Sequence, residues 1–365
     1  MKATWILTIV ACFLYFEPSI AELKLLQAVF RHGNRTPTMD QTFYPNDPYG
    51  NMTYEPEGHG GLTNTGKMTA YKLGQFLRLR YEKLLGPIYS KEIIWFRADE
   101  VERVVMTGEL VAAGLFPPVK RQRWNPALRW QPIPIWALPH MDDDYLYNGM
   151  DCSNAKKWTA EVDTTNSSVV KFNLDNKETF DYLTENAGAL IQEPIAGFAL
   201  RQILYAQKDI GLKLPAWTKK VFPHGKLDEI AGYALSIQSG TQELKQLLGG
   251  IWIREWLDHV DNYLNNSDKR KAFMYAAHEI NIAPIVIALN NYDNQVPTYC
   301  STVMFELHEM KSQYYVQVHY RNNGKMRTLK IPGCGINLCP LDTFKSFVDP
   351  VIPKDVVSLC GKLDL

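Results

Sequence analysis

The 365-residue chain has no excess charge of either sign: 39 Lys and Arg balance 39 Asp and Glu. A nucleic-acid footprint normally shows as a basic excess, so nucleic acid is not expected as a partner. Past its opening residues the chain has no apolar run of about 18 residues, so no later segment is expected to span a membrane. It contains no C-x2-C pair of the kind a zinc ribbon needs, and no G-x-S-x-G nucleophile elbow. Two rival motifs each fail at one position. Gly61 to Met68 nearly matches a phosphate-binding P-loop, but Met68 stands where a Ser or Thr must hold magnesium. His278-Glu279 opens like a zinc-protease helix, but Ile282 stands where the second His is required. No repeat or low-complexity tract interrupts a composition of 46% hydrophobic and 21% charged residues, which suits a folded protein with a sizeable core.

The opening segment is set apart from the rest. Met1-Lys2 is a short basic start, Ile6 to Phe16 is an apolar run too short for a bilayer, and Ser19-Ile20-Ala21 is a small-x-small cleavage site. Residues 1–21 therefore read as a secretory signal peptide, and the product as secreted or delivered to the lumen of an acidic compartment. Removing that segment takes away Cys12 and leaves Cys152, Cys300, Cys334, Cys339 and Cys360. An oxidising compartment favours disulfides, but five is odd, so at least one thiol is unpaired or pairs between chains. Glycosylation sequons begin at Asn51, Asn166 and Asn265. A fourth, at Asn34, is followed by Pro37 and is expected to stay bare.

The pattern of elements predicts an α/β fold: a mixed, largely parallel central sheet flanked by helices, with a smaller, mostly helical cap domain. Leu23 to Phe30 is a nearly continuous apolar run, as in a strand buried on both faces. Helical spacing follows from Lys67 to Leu85, and a second strand at Ile93 to Phe96 leads to a helix stopped by Pro117-Pro118. Phe273 to Ala277 is a third strand, with a helix after it from about Ile282 to Leu289. Val303 to Leu307 and Tyr315 to Tyr320 read as a hairpin. Residues 22–141 and 234–365 are assigned to the α/β domain, and 142–233 to the helical cap.

Ligands in such sheets bind beyond the carboxyl ends of the strands. Three strands end at Arg31-His32, at Arg97 and at His278-Glu279. If they are neighbours, Arg31, Arg35, Arg97, His32, His278 and Glu279 converge on one site. Guanidinium forks match a tetrahedral dianion, and buried cations need an anion, most simply phosphate. Taken singly, each arginine reads as the partner of a structural carboxylate; three at three strand ends read as a site. Arg103 falls inside a predicted helix and is assigned a structural ion pair. His59, His140, His224, His259, His308 and His319 are read as structural histidines.

Arg31-His32-Gly33-Asn34-Arg35-Thr36-Pro37 resembles the R-H-G-x-R-x-P signature of the histidine acid phosphatases. The likeness continues through Leu62-Thr63 to Tyr81, Phe96-Arg97 to Pro118, and Trp124-Asn125-Pro126. It resumes at Tyr275 to Glu279, Pro332 to Pro340 and Val351-Ile352-Pro353, and so spans almost the whole chain past residue 21. This resemblance to prostatic, lysosomal and insect venom acid phosphatases implies hydrolysis of phosphate monoesters through a phosphohistidine at His32. It further implies that Arg31, Arg35, Arg97 and His278 bind the phosphate and that Glu279 is the general acid. No metal or other cofactor is implied, since the arginines supply the positive charge; an acidic pH optimum and a homodimer are. The disulfides implied are Cys152–Cys360 and Cys334–Cys339, with Cys300 left as a free thiol.

One departure concerns the acid. Many relatives carry Asp after the second His, whereas this chain has Glu279. The ordinary pKa of a Glu carboxyl is only about 0.4 above that of Asp, but the side chain reaches roughly 1.5 Å further. A misplacement of about 1 Å can cost on the order of 100-fold in rate. The alternative is therefore a secreted phosphate-ester-binding protein of the same fold with little turnover. Phytate or lysophospholipid preference would be decided by cap residues.

Overall fold

A computed structural model describes residues 21–38, 44–139 and 145–363. The segment assigned as a signal peptide lies, except for Ala21, outside the described residues, as does His140.

Among the described residues, eight strands form one sheet: β1 (Glu22–Arg31), β2 (Ile94–Ala98), β3 (Trp136–Ala137), β4 (Ala272–Ala277), β5 (Thr302–Met310), β6 (Gln313–Asn322), β7 (Lys325–Thr328) and β8 (Cys339–Pro340). Their order is β3-β2-β4-β1-β5-β6-β7, with β8 paired to β6. The half from β3 to β1 is parallel, and the half from β5 onward is antiparallel. The fold is thus α/β with a mixed sheet. β1 lies between a parallel and an antiparallel neighbour, and its centre is buried on both faces, which is why it reads as an unbroken apolar run. Its one central polar residue, Gln27, donates to the Trp252 carbonyl at 3.1 Å.

Helices cover both faces. α1 (Asn64–Leu85) starts at Thr63, whose hydroxyl accepts from the Gly66 amide. It buries Leu73, Leu77, Tyr81 and Leu84 along one stripe. With α2 (Glu102–Leu115) it packs on the face carrying Leu26, Ala28, Phe30, Phe96 and Met274. Between the domains' assigned limits lie α3 (Tyr145–Asn148), α4 (Ser153–Thr165), α5 (Ser167–Asp175), α6 (Lys177–Ala187) and α7 (Pro194–Asp209), followed by α8 (Lys226–Ile237). α6, α7 and α8 share an apolar cluster of their own, built from Phe180, Leu183, Leu200, Leu204, Leu227 and Ile230.

A short turn, α9 (Gln242–Leu244), runs through a π-helical stretch at Lys245–Gly250 into α10 (Ile251–Leu264). α10 and α11 (Glu279–Ala288) contribute Trp252, Trp256, Ile282 and Ile285 to the cluster on the second face of the sheet, with Val29, Tyr275 and Phe305. α12 (Leu341–Val348) adds Phe344 to that cluster, and α13 (Val356–Cys360) ends the described helices. No described helix is long and apolar enough to cross a membrane.

Candidate active site

The site forms where β1 and β4 end side by side. Arg31 is level with Ala277, and the His32 amide donates to the Ala277 carbonyl at 2.9 Å. From the other side, the Arg31 amide donates to Ser301 and the His32 carbonyl accepts from Cys300. The turn that follows is pressed against two helix starts. A Cβ on Gly33 would lie 2.6 Å from the Gly66 carbonyl of α1, so only glycine fits there. The Gly33 amide donates to Thr107 Oγ1 of α2 at 3.0 Å. Strand end and helix ends together fix the His32 backbone.

The His32 ring is buried, with Nδ1 2.8 Å from the Gly33 carbonyl. A carbonyl can only accept, so Nδ1 carries the proton and Nε2 keeps its lone pair. Burial holds the imidazole well below its ordinary pKa, and the charges of Arg103, Arg31, His278 and Arg35 push it further down. Both effects favour the neutral imidazole.

Arg31 is fully buried. Its Nη1 donates to the Pro297 carbonyl at 2.6 Å, its Nε lies 2.8 Å from Glu279 Oε2, and its guanidinium lies over the Tyr299 ring. Its Nη2 is buried with no hydrogen-bond partner among the described residues. A buried guanidinium donor is costly to leave unmade, and a tetrahedral oxyanion is the ligand that would take it. Arg35 is also buried and donates to the Thr36 carbonyl.

Glu279 is the first residue of α11, and His278 is its N-cap, with the His278 amide donating to Asn281 Oδ1 at 3.0 Å. This places a carboxylate and an imidazole beside the positive end of a helix. His278 Nε2 is 2.7 Å from Asp99 Oδ2. Glu279 Oε1 accepts from Gln202 of α7, and Oε2 lies 3.9 Å from His32 Nε2. Burial alone would raise the Glu279 pKa, but Arg31, Arg35 and His278 outweigh it and hold the carboxyl below its ordinary value.

Ligand atoms of His32, His278 and Glu279 lie within 4.8 Å of one another, close enough to hold a metal ion. The donor set suits an anion better. Arg31 already engages Glu279, Asp99 engages His278, and the cations of Arg31, Arg35 and Arg103 act on His32.

The structure brings together His32, Arg31, Arg35, His278 and Glu279, but not Arg97. Arg97 is level with Tyr275 on β4, which is itself level with Val29 on β1. Arg97 thus stands two residues short of Arg31, roughly 6.6 Å down the sheet at about 3.3 Å per residue. There its guanidinium lies 5.3 Å over the Tyr147 ring, beside a cavity lined by Tyr145, Arg254 and Glu255. A further cation that acts on the site is Arg103, in the first turn of α2. It is the leading charge acting on His32, and it shares a helix face with Thr107, the partner of Gly33. Arg103 was readable in principle: a helix that follows a parallel strand begins at the ligand-binding edge, so a cation in its first turn lies at the site. Asp99, Gln202 and Asp209 were also missed. The Asn34 side chain donates to both Asp209 carboxylate oxygens, at 2.9 and 2.8 Å, and is buried. Gln202, Tyr205 and Asp209 form an i, i+3, i+7 stripe on α7 facing the signature loop, and polar residues on such a stripe are the signal that could have found them.

Away from the site, Cys152–Cys360 and Cys334–Cys339 form disulfides. Cys300 is free and buried, and burial pushes its thiol up to about 12. Asn51, Asn166 and Asn265 are exposed. His259 stacks on Phe273 and bonds the Tyr275 hydroxyl. His308 and His319 flank Glu306.

The model of the histidine phosphatase superfamily (branch 2) matches residues 22–321. The chain is 36% identical over 348 residues to venom acid phosphatase Acph-1 of Apis mellifera, covering 94% of this chain and 88% of that one. It is 33% identical over 347 residues to prostatic acid phosphatase of Bos taurus, covering 93% and 88%. Among solved structures, a Hafnia alvei phytase in complex with tartrate superposes with a TM-score of 0.70 at 17% identity, covering 93% of this chain and 99% of the other. That last likeness shows the fold alone.

Proposed function

The chain belongs to branch 2 of the histidine phosphatase superfamily and is a phosphatase; from that premise we propose a secreted acid phosphatase that hydrolyses phosphate monoesters through a phosphohistidine on His32, with Glu279 as general acid. The His32 Nε2 lone pair attacks phosphorus and the ester P–O bond breaks. The leaving alkoxide takes its proton from the Glu279 carboxyl. Water then attacks the phosphohistidine, Glu279 accepts its proton, and the N–P electron pair returns to Nε2 as phosphate leaves. Arg31, Arg35, Arg103 and His278 hold the equatorial oxygens and the charge that builds on them.

The observation that carries this reading is the placement of His32: its Nδ1 stands 2.8 Å from the Gly33 carbonyl, which leaves Nε2 turned toward Glu279, 3.9 Å from Oε2. The acid step sets the pH dependence. Glu279 is held below its ordinary pKa, so the proton it must donate is favoured at low pH. A bound phosphate dianion would neutralise the arginines and raise that pKa. Hydrolysis of p-nitrophenyl phosphate without added metal should therefore rise from about pH 8 toward about pH 4, a range bracketing the ordinary pKa values of an imidazole and a carboxyl. His32→Ala should abolish it. Activity that survives the substitution would overturn the assignment.

Secretion is supported by two disulfides, three exposed sequons and the venom and prostatic relatives. Residues 142–233 are read as a cap over the site, supported by the contacts of α7 with Asn34 and Glu279. A homodimer is supported by exposed Trp136 on β3, the last strand on that side of the sheet among the described residues, and by exposed Trp124 and Trp130. The Arg31–Glu279 ion pair is the one observation that favours the alternative, a binder with little turnover, because it holds the acid ionised. Measurable turnover at low pH excludes that alternative.

A further inference from the structure

Gln202 lies on α7, outside the signature motifs, and is almost completely buried. Its amide has two neighbours of fixed character. Arg201 Nη1 is 3.1 Å from Gln202 Oε1, and Gln202 Nε2 meets Glu279 Oε1. Arginine can only donate, so the amide oxygen must face Arg201 and the NH2 must face the carboxylate. Arg201 is itself held by Asp228, 2.9 Å from its Nε, and lies over the Tyr205 ring. A chain of defined polarity thus runs from Asp228 through Arg201 and Gln202 to one oxygen of Glu279.

The other oxygen has different company. Oε2 takes Arg31 at 2.8 Å and is the oxygen 3.9 Å from the His32 nucleophile. Compared with Asp, a Glu side chain carries one more rotatable bond. A carboxyl that must meet the leaving oxygen gains from a tether that removes that freedom, because reaction depends on a narrow range of geometries.

We propose that Gln202 is a positioning residue for the acid: it pins Oε1 and leaves Oε2, the oxygen nearer His32, to face the ester and to carry the proton once a bound phosphate draws Arg31 away. This rests on the reading of Glu279 as general acid. Gln202 restricts the extra rotatable bond of the longer glutamate. It also sets a polarity, since an amide donor beside the carboxylate favours the ionised form. The groups that share control of that proton are Arg31 from β1, His32 and Arg35 from the signature loop, and His278 at the start of α11.

The test compares leaving groups. p-Nitrophenolate departs readily and needs little protonation, whereas the alkoxide of glycerol 2-phosphate needs the acid. Gln202→Leu should lower kcat/KM on glycerol 2-phosphate by about tenfold, the scale of one hydrogen bond to a charged group, and change p-nitrophenyl phosphate much less. In a Glu279→Ala background the same substitution should have no further effect. An equal loss on both substrates, or the same loss without Glu279, would overturn the positioning role. Should Gln202→Leu fail to fold, the near-isosteric Gln202→Glu serves instead. Replacing the donor by a second carboxylate should shift the alkaline limb of kcat to higher pH, and an unmoved limb would overturn the proposal. Glu279→Ala alone separates the two readings: if it shows no greater loss on the alkyl ester, Glu279 is not the acid, whatever Gln202 does.

Discussion

Two regions of this molecule bury the same kinds of residue to opposite ends. At the end of the parallel half, Arg31, His32 and Glu279 meet with further cations around them, and Arg31 Nη2 is left without a partner among the described residues. In the antiparallel half, Glu306 of β5 is as deeply buried, but it is closed against its neighbours. Arg80 reaches its Oε1 at 2.7 Å and Tyr81 at 2.8 Å, while His308 and His319 sit beside Oε2. Burial would raise the Glu306 pKa, yet His308, His319 and Arg80 hold it far below the carboxylate range. A buried charge cluster that neutralises itself stabilises the fold. One that leaves a buried guanidinium nitrogen without a partner among the described residues offers it to a ligand instead.

The sharpest way to break that comparison is at the site. Arg103→Ala should lower kcat/KM on p-nitrophenyl phosphate by about 10²- to 10³-fold, the scale for removing one charge-stabilising donor. Arg97→Ala should leave it within about threefold, as expected of a residue that does not touch the reacting atoms. The reverse ranking would return Arg97 to the site.

In the antiparallel cluster the loss should fall on stability. Glu306→Gln should cost about 3 kcal/mol in urea unfolding, since it strands buried partners, with kcat per folded molecule unchanged. The depressed Glu306 carboxyl contributes stability that is full above its ordinary value of 4.5 and is lost as pH falls toward its lower folded value. The wild-type protein should thus keep this contribution down to about pH 4.5, and the variant should lose the acid dependence below it. A variant with unchanged stability but impaired turnover would erase the distinction between the two regions. The smallest effect belongs to Cys300, which borders both. Its buried thiol, pushed up to about 12, should resist iodoacetamide at pH 8 in the native protein and react on unfolding. Mass spectrometry reads the adduct, and rapid native labelling would show that this border opens.

Much of the parallel half was legible because burial on both faces writes itself as an unbroken apolar run that stops where the chain meets the ligand edge. β1 ending at Arg31 is the clearest case. Arg97 was misplaced because register is a relation between two strands: nothing in Ile94–Ala98 says that Arg97 pairs with Tyr275 and not with Ala277. α11 begins three residues earlier than its apolar pattern suggests, since His278 and Asn281 cap it with polar groups that periodicity does not register. The role of α7 was hidden for a related reason. Its polar residues are buried by tertiary contact with distant loops, and their chemistry shows only once Glu279 and Asn34 stand against them.

The account depends on His32 as the covalent nucleophile. Mixing the enzyme with a ³²P-labelled monoester and quenching in alkali, where a phosphorus–nitrogen bond survives, should trap radioactive phosphate on the peptide containing His32, and His32→Ala should trap none. Label on a different residue, or rapid turnover by the His32→Ala enzyme, would contradict it.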